Sequence, residues 1–264
     1  MFRKLLLLMG ILFGGAATAQ AFDHQPWDDL LQSHVVVIDD GQITQTDYAG
    51  FQSQRQDLKR YLASISKVSQ ADFDRWSSDT QLAFLINAYN AWTVELILTK
   101  YPDLNSIKDL SGFFSSPWKK AFIPLFGREV SLDHIEHALI RGAGRYHEPR
   151  IHFAVNCASI GCPALRNKAY TPALLDAQLE EQTQLFLQDK SRNRLEGDQL
   201  QVSEIFKWYR DDFEQGWRNA ETLAAFLVLY AEALELDAEQ QTKLQQGQIA
   251  IRYLDYDWQL NDSK

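Results

Sequence analysis

Leu82-Ala-Phe-Leu-Ile-Asn87-Ala-Tyr-Asn90-Ala-Trp-Thr-Val-Glu-Leu-Ile-Leu98 decides how this chain folds. Phe84, Leu85, Ile86, Ala88, Ala91, Trp92, Val94, Ile97 and Leu98 cover nearly every face of a 3.6-residue repeat, and a helix that is apolar all round is a buried one. Asp79 opens it. The spacing therefore predicts a central helix on which the remaining elements pack.

On the N-terminal side, Val35 to Ile38, Asp40-Gly41 and Ile43 to Tyr48 read as a hairpin turning on Asp-Gly. Tyr48 to Ile65 has helical spacing, and Ser69 caps a short helix through Trp76. On the C-terminal side, Phe122 to Val130 gives a second hairpin, and Ser131 caps a helix from Leu132 to about Arg141 that ends at Gly142 and Gly144. Ile151 to Val155 reads as a strand and Pro172 to Gln188 as a helix. Arg194 to Val202 is a hairpin turning at Gly197-Asp198, two helices fill Phe206 to Leu236, and Ile249 to Leu254 is a last strand. There are no repeats and no linker. The class is α+β: a single helix-rich domain over residues 22–264 with a small, mostly antiparallel sheet.

Residues 1–21 carry a different signal. Arg3 and Lys4 precede an apolar run from Leu5 to Phe13, and small residues follow through Ala19 and Ala21, the pattern of a cleaved secretory signal peptide. The expectation is a secreted protein, most simply periplasmic, with no stable membrane insertion after cleavage. Losing Arg3 and Lys4 takes the formal charge from -9 to -11, which argues against nucleic acid and anionic membranes as partners. Two cysteines make no disulfide framework.

Both cysteines fall in His152-Phe-Ala-Val-Asn-Cys157-Ala-Ser-Ile-Gly-Cys162-Pro163. The pair admits a structural disulfide, a redox couple, or a nucleophilic Cys157 at a strand-to-turn junction. The spacing is not that of C-x-x-C redox motifs. A nucleophilic thiol needs a base, and His137 and His152 are available. On a regular strand His152 and Cys157 face opposite sides, which favours His137. Glu136 stands beside His137, and Asn87 and Asn90 share one face of the central helix. Buried amides need specific partners, so this pair either caps a neighbouring loop or orients an active site. His134 and His137 have helical metal spacing but no evident third ligand, so neither metal nor cofactor is expected.

Five segments, Phe84 to Ala91, Ile135-Glu136-His137 with Leu139 to Arg141, His152 to Ser159, Phe206 to Phe213, and Tyr256 to Asn261, together resemble the DUF547 domain family of bacterial and plant proteins. In that family the position of Cys162 is often serine while that of Cys157 is cysteine, so the resemblance favours Cys157 acting alone. It also weakens a metal role for His134.

The expected function is an exported cysteine-dependent hydrolase or acyltransferase of papain-like or transglutaminase-like type, acting on amide or peptide bonds of the cell envelope. Cys157 is its nucleophile, His137 its base, Glu136 or Asn87 the orienting group, and the Ala158-Ser159 turn its oxyanion hole, with Asn90 and His152 in the same pocket. The rival is a non-enzymatic binding module with a structural Cys157–Cys162 disulfide, using the aromatic loop Phe113 to Trp118 as its contact surface.

Overall fold

The computed structural model describes residues 22–111 and 116–264. The expected signal peptide and the first half of the aromatic loop, Phe113 to Ser115, lie outside the described residues.

The chain begins with α1 (Gln25–His34), whose end runs directly into β1 (Val35–Ile38), paired antiparallel with β2 (Ile43–Thr46). Then come α2 (Tyr48–Ser53), α3 (Arg55–Ser66), α4 (Gln70–Asp74) and α5 (Ser78–Leu98). Ser69 and Ser77 cap α4 and α5 by accepting the backbone N–H groups of Asp72 and Thr80. Every residue of α5 from Gln81 to Leu98 is buried, as its all-round apolarity requires. Its one inward acid, Glu95, is neutralised by Arg55 of α3 at 2.8 Å.

Strands β3 (Ile123–Leu125) and β4 (Arg128–Val130) form the second expected hairpin. The helix expected from Leu132 is a π-helical turn over His134–Ile140, with Arg141 N–H donating to Glu136 O five residues back. This widening redirects successive side chains, and such turns recur at functional sites.

Residues 151–155 are not a strand. Pro149 starts a 3-10 turn over Pro149–Phe153, with Glu148 accepting the N–H of Arg150. After α6 (Leu175–Gln188) come β5 (Arg194–Glu196), β6 (Gln199–Ser203), α7 (Ile205–Trp208), α8 (Arg210–Phe213), α9 (Leu223–Val228), α10 (Ala238–Gln245) and β7 (Ala250–Leu254). The expected single sheet is three small ones among the described residues, and β7 pairs parallel with β6. The α+β, helix-rich class holds. No helix among the described residues is long and apolar enough to cross a membrane.

Two apolar clusters make the core. One surrounds α5; the other gathers Phe186, Phe206, Phe213 and Phe226. The 3-10 turn lies on their seam, because Ile151 and Ala154 belong to the first and Phe153 to the second. The cysteine loop leaves from this seam.

Candidate active site

The two buried asparagines of α5 hold backbone. Asn87 donates from Nδ2 to Tyr170 O at 2.8 Å and accepts Tyr170 N–H at 3.0 Å. Asn90 does the same across a gap in the chain, donating to Ala154 O at 2.9 Å and accepting Asn156 N–H at 2.8 Å. Each amide thus supplies the pair of bonds that a neighbouring strand would have given, which is how backbone at 154–156 is satisfied without a sheet. The capping alternative describes them; neither lines the cavity described below.

Asn156 extends the relay into the cysteine loop. Its Nδ2 donates to Pro163 O at 2.8 Å and its Oδ1 accepts Ala158 N–H at 2.9 Å. Ala158 takes a left-handed φ of 63° there. The Ala158 N–H assigned to an oxyanion hole is therefore already bonded. From the other side the C-terminal segment closes on the loop: Ile160 N–H donates to Gln259 O and Gly161 N–H to Asp257 O, both at 2.8 Å. A Cβ on Gly161 would lie 2.9 Å from Asp257 O, so only glycine permits this approach.

Within the loop Cys157 and Cys162 form a disulfide. Cys157 N–H donates to Cys162 Sγ at 2.8 Å, Ser159 Oγ lies 3.0 Å from Cys157 Sγ, and the Tyr256 hydroxyl is 3.1 Å from one sulfur and 3.2 Å from the other.

His152, 2% exposed, donates from Nε2 to Asp212 Oδ2 at 2.7 Å and stacks on the ring of Tyr209 at 3.8 Å. Its Nδ1 has no partner among the described residues. Arg141 grips the same carboxylate, with Nε 2.5 Å from Oδ2 and Nη2 3.0 Å from Oδ1. Burial alone would raise Asp212, but the hydrogen bonds from His152 and Arg141 hold it well below the usual carboxylate range. Burial pushes the His152 imidazole below its ordinary value despite the pull of Asp212 and Glu136. It is a neutral imidazole near pH 7.

His137, the expected base, is half-exposed and engaged on its own helical turn. Its Nδ1 lies 2.7 Å from Arg141 Nη1 and its Nε2 3.4 Å from Asp133. Because residues 151–155 are not extended, the expected opposition of His152 and Cys157 does not arise. Glu136, His137, His152 and Cys157 line one cavity of about 210 Å³, walled by Trp118, Trp208, Tyr209, Tyr256 and Trp258. Burial first, with the charge of Glu136 adding to it, raises the phenols of Tyr89, Tyr209 and Tyr256, which stay protonated donors. Among the described residues no three His, Cys, Asp or Glu side chains are placed to hold a metal ion.

The comparison with protein families matches residues 73–187 to DUF547, whose description is a protein of unknown function. Residues 73–187 are a DUF547 domain. Comparison with curated proteins and with solved structures returns no match. The DUF547 match takes in Asn87, Asn90, Glu136, His152 and Cys157 and stops before Tyr209, Asp212 and Tyr256. Those three complete the site from outside the matched segment. Their one mark in sequence is that they fall in the segments Phe206 to Phe213 and Tyr256 to Asn261, two of the five that carry the resemblance.

Proposed function

We propose that the chain is an exported thiol-dependent hydrolase or acyltransferase of papain-like or transglutaminase-like type, acting on amide or peptide bonds of the cell envelope. The disulfide is its resting form. Export rests on the leader pattern of residues 1–21. The chemistry rests on one observation: His152 has its Nε2 fixed by Asp212 at 2.7 Å, while its unpartnered Nδ1 belongs to a residue lining the same cavity as Cys157.

A dithiol reductant opens the disulfide by thiolate attack on Cys162, releasing Cys157 as the thiol and leaving the reductant, after its second exchange, as a disulfide. His152 Nδ1 then takes the Cys157 proton as the sulfur attacks the carbonyl carbon, and the carbonyl π pair moves to oxygen. Asp212 stabilises the imidazolium so formed. The Tyr256 hydroxyl and the Cys157 N–H, freed from Cys162 Sγ, are the donors available to the oxyanion. Collapse returns the proton to the leaving amine, and water or an acceptor amine resolves the thioester.

Incubating reduced protein with p-nitrophenyl acetate tests this. A burst of nitrophenolate with an acetyl group on Cys157, absent in His152→Ala, is expected; no Cys157 adduct, or one equally fast in His152→Ala, rejects the reading. A second reading, a binding module, is favoured by the bonded sulfurs and their enclosure by Ser159 and Tyr256. It expects no adduct under reducing conditions.

A further inference from the structure

Glu136 is 5% exposed, lines the same cavity as Cys157, and keeps its Oε1 buried without a hydrogen-bond partner among the described residues. The phenols of Tyr89 and Tyr209 hydrogen-bond to this carboxylate. Neutral donors nonetheless leave its negative charge unbalanced and Oε1 without a donor among the described residues, an environment suited to a cation. Arg141 feels the Glu136 charge, but none of its three donor nitrogens is bonded to that carboxylate. Arg141 spends its Nε and Nη2 on Asp212 and its Nη1 on His137, and Lys108 sits 3.5 Å over the ring of Trp258. Among the described lining residues there is no lysine or arginine, whereas Asp133 adds a second acid. The walls are aromatic, and aromatic faces attract ammonium and amidinium groups.

We infer that the cavity selects acyl donors carrying a primary ammonium or amidinium group close to the attacked carbonyl, with the Glu136 carboxylate as its counter-ion. This rests on the thiol-enzyme reading of the same site. Glu136, Tyr256 and Cys157 line one cavity of about 210 Å³, with the Tyr256 hydroxyl 3.1 Å from the Cys157 sulfur. The recognised cation is thus held in the cavity that contains the sulfur. An acyl group bearing a carboxylate in that place meets Glu136 and Asp133 and is rejected, so the site discriminates by repulsion as well as by attraction.

The test compares 2-chloroacetamidine, a fixed cation, with its neutral isostere 2-chloroacetamide on the reduced full-length protein. In both reactions the Cys157 sulfur displaces chloride and forms one S–C bond. Each rate is divided by that of reduced glutathione, which removes the intrinsic difference between the reagents. The cation should be favoured by about tenfold in the wild type, and the preference should fall to the glutathione value in Glu136→Gln. A wild-type ratio no greater than that of glutathione, or a preference kept in Glu136→Gln, overturns the inference.

Titration of n-butylammonium, followed by the fluorescence of the cavity tryptophans, reads the cation site without the thiol. Saturable binding in the wild type, lost in Glu136→Gln, supports the site even if the thiol is inert, an outcome that sinks the enzyme reading alone. No saturable binding in the wild type sinks the cation site. Should Glu136→Gln fail to fold, the wild-type ratio and titration decide between the same two results.

Discussion

Asn90 Oδ1 accepts the backbone N–H of Asn156 at 2.8 Å, so the middle of the most buried helix fixes the residue that precedes Cys157. The same amide holds Ala154 O at 2.9 Å. Asn90→Ala leaves a buried donor and a buried acceptor without partners. A loss of about 3 kcal/mol is expected from urea unfolding, since each orphaned group costs about 1–3 kcal/mol. An unchanged unfolding midpoint would show that the relay from α5 to the cysteine loop carries no load.

The C-terminal segment is a structural part of the site. Asn261 is buried and accepts the Tyr48 hydroxyl at 2.8 Å, Ser106 Oγ donates to Trp258 O at 2.6 Å, and Tyr256 touches both sulfurs. Deleting residues 256–264 should lower the melting temperature by about 5 °C or more, because each kcal/mol is worth about 2–4 °C in a chain this long. Gly161→Ala, which drives a Cβ against Asp257, should free the same segment to proteolysis while the rest of the chain resists. If truncation leaves the melting curve unmoved, the tail is dispensable.

Stability should fall on mild acidification. Burial, working against Asp23, holds His24 at about 4 where an unfolded histidine titrates near 6.5, and burial depresses His152 in the same direction. A lowered folded value means that the unfolded chain takes up the proton first. The stabilisation is therefore full above pH 6.5 and drains as pH falls from there toward 4. Asp212, also lowered, adds its loss only below the ordinary carboxylate range. The His24 share is roughly 3 kcal/mol. Urea midpoints at pH 7, 5.5 and 4.5 should decline, and His24→Gln should flatten the decline; a level profile in the wild type contradicts the assignment.

Much of this architecture is legible in the sequence, for identifiable reasons. α5 declares itself because apolar residues on every face leave it nowhere to be but inside, and the hairpins are marked by Asp40-Gly41 and Gly197-Asp198. Glu136, His152 and Cys157 are legible as reactive groups in apolar surroundings. Ile151 to Val155 misleads because its apolar run has strand composition, while the partner that replaces a neighbouring strand is the side chain of Asn90, which no local pattern reveals. That misreading set His152 on the wrong side of the chain: once the segment is a 3-10 turn, His152 lines the same cavity as His137 and Cys157. Asp212 and Tyr256 are far from His152 and Cys157 in sequence, and only the packing of the two apolar clusters brings them together.

The account turns on whether His152 activates Cys157, and the pH profile of iodoacetamide alkylation of the reduced protein measures that directly. With a buried, neutral imidazole as base, the Cys157 rate should stay high down to an inflection below pH 6.5, and in His152→Ala the inflection should move to about 8.5, the value of an unassisted thiol. A wild-type profile with its single inflection near 8.5, unchanged in His152→Ala, would contradict the account.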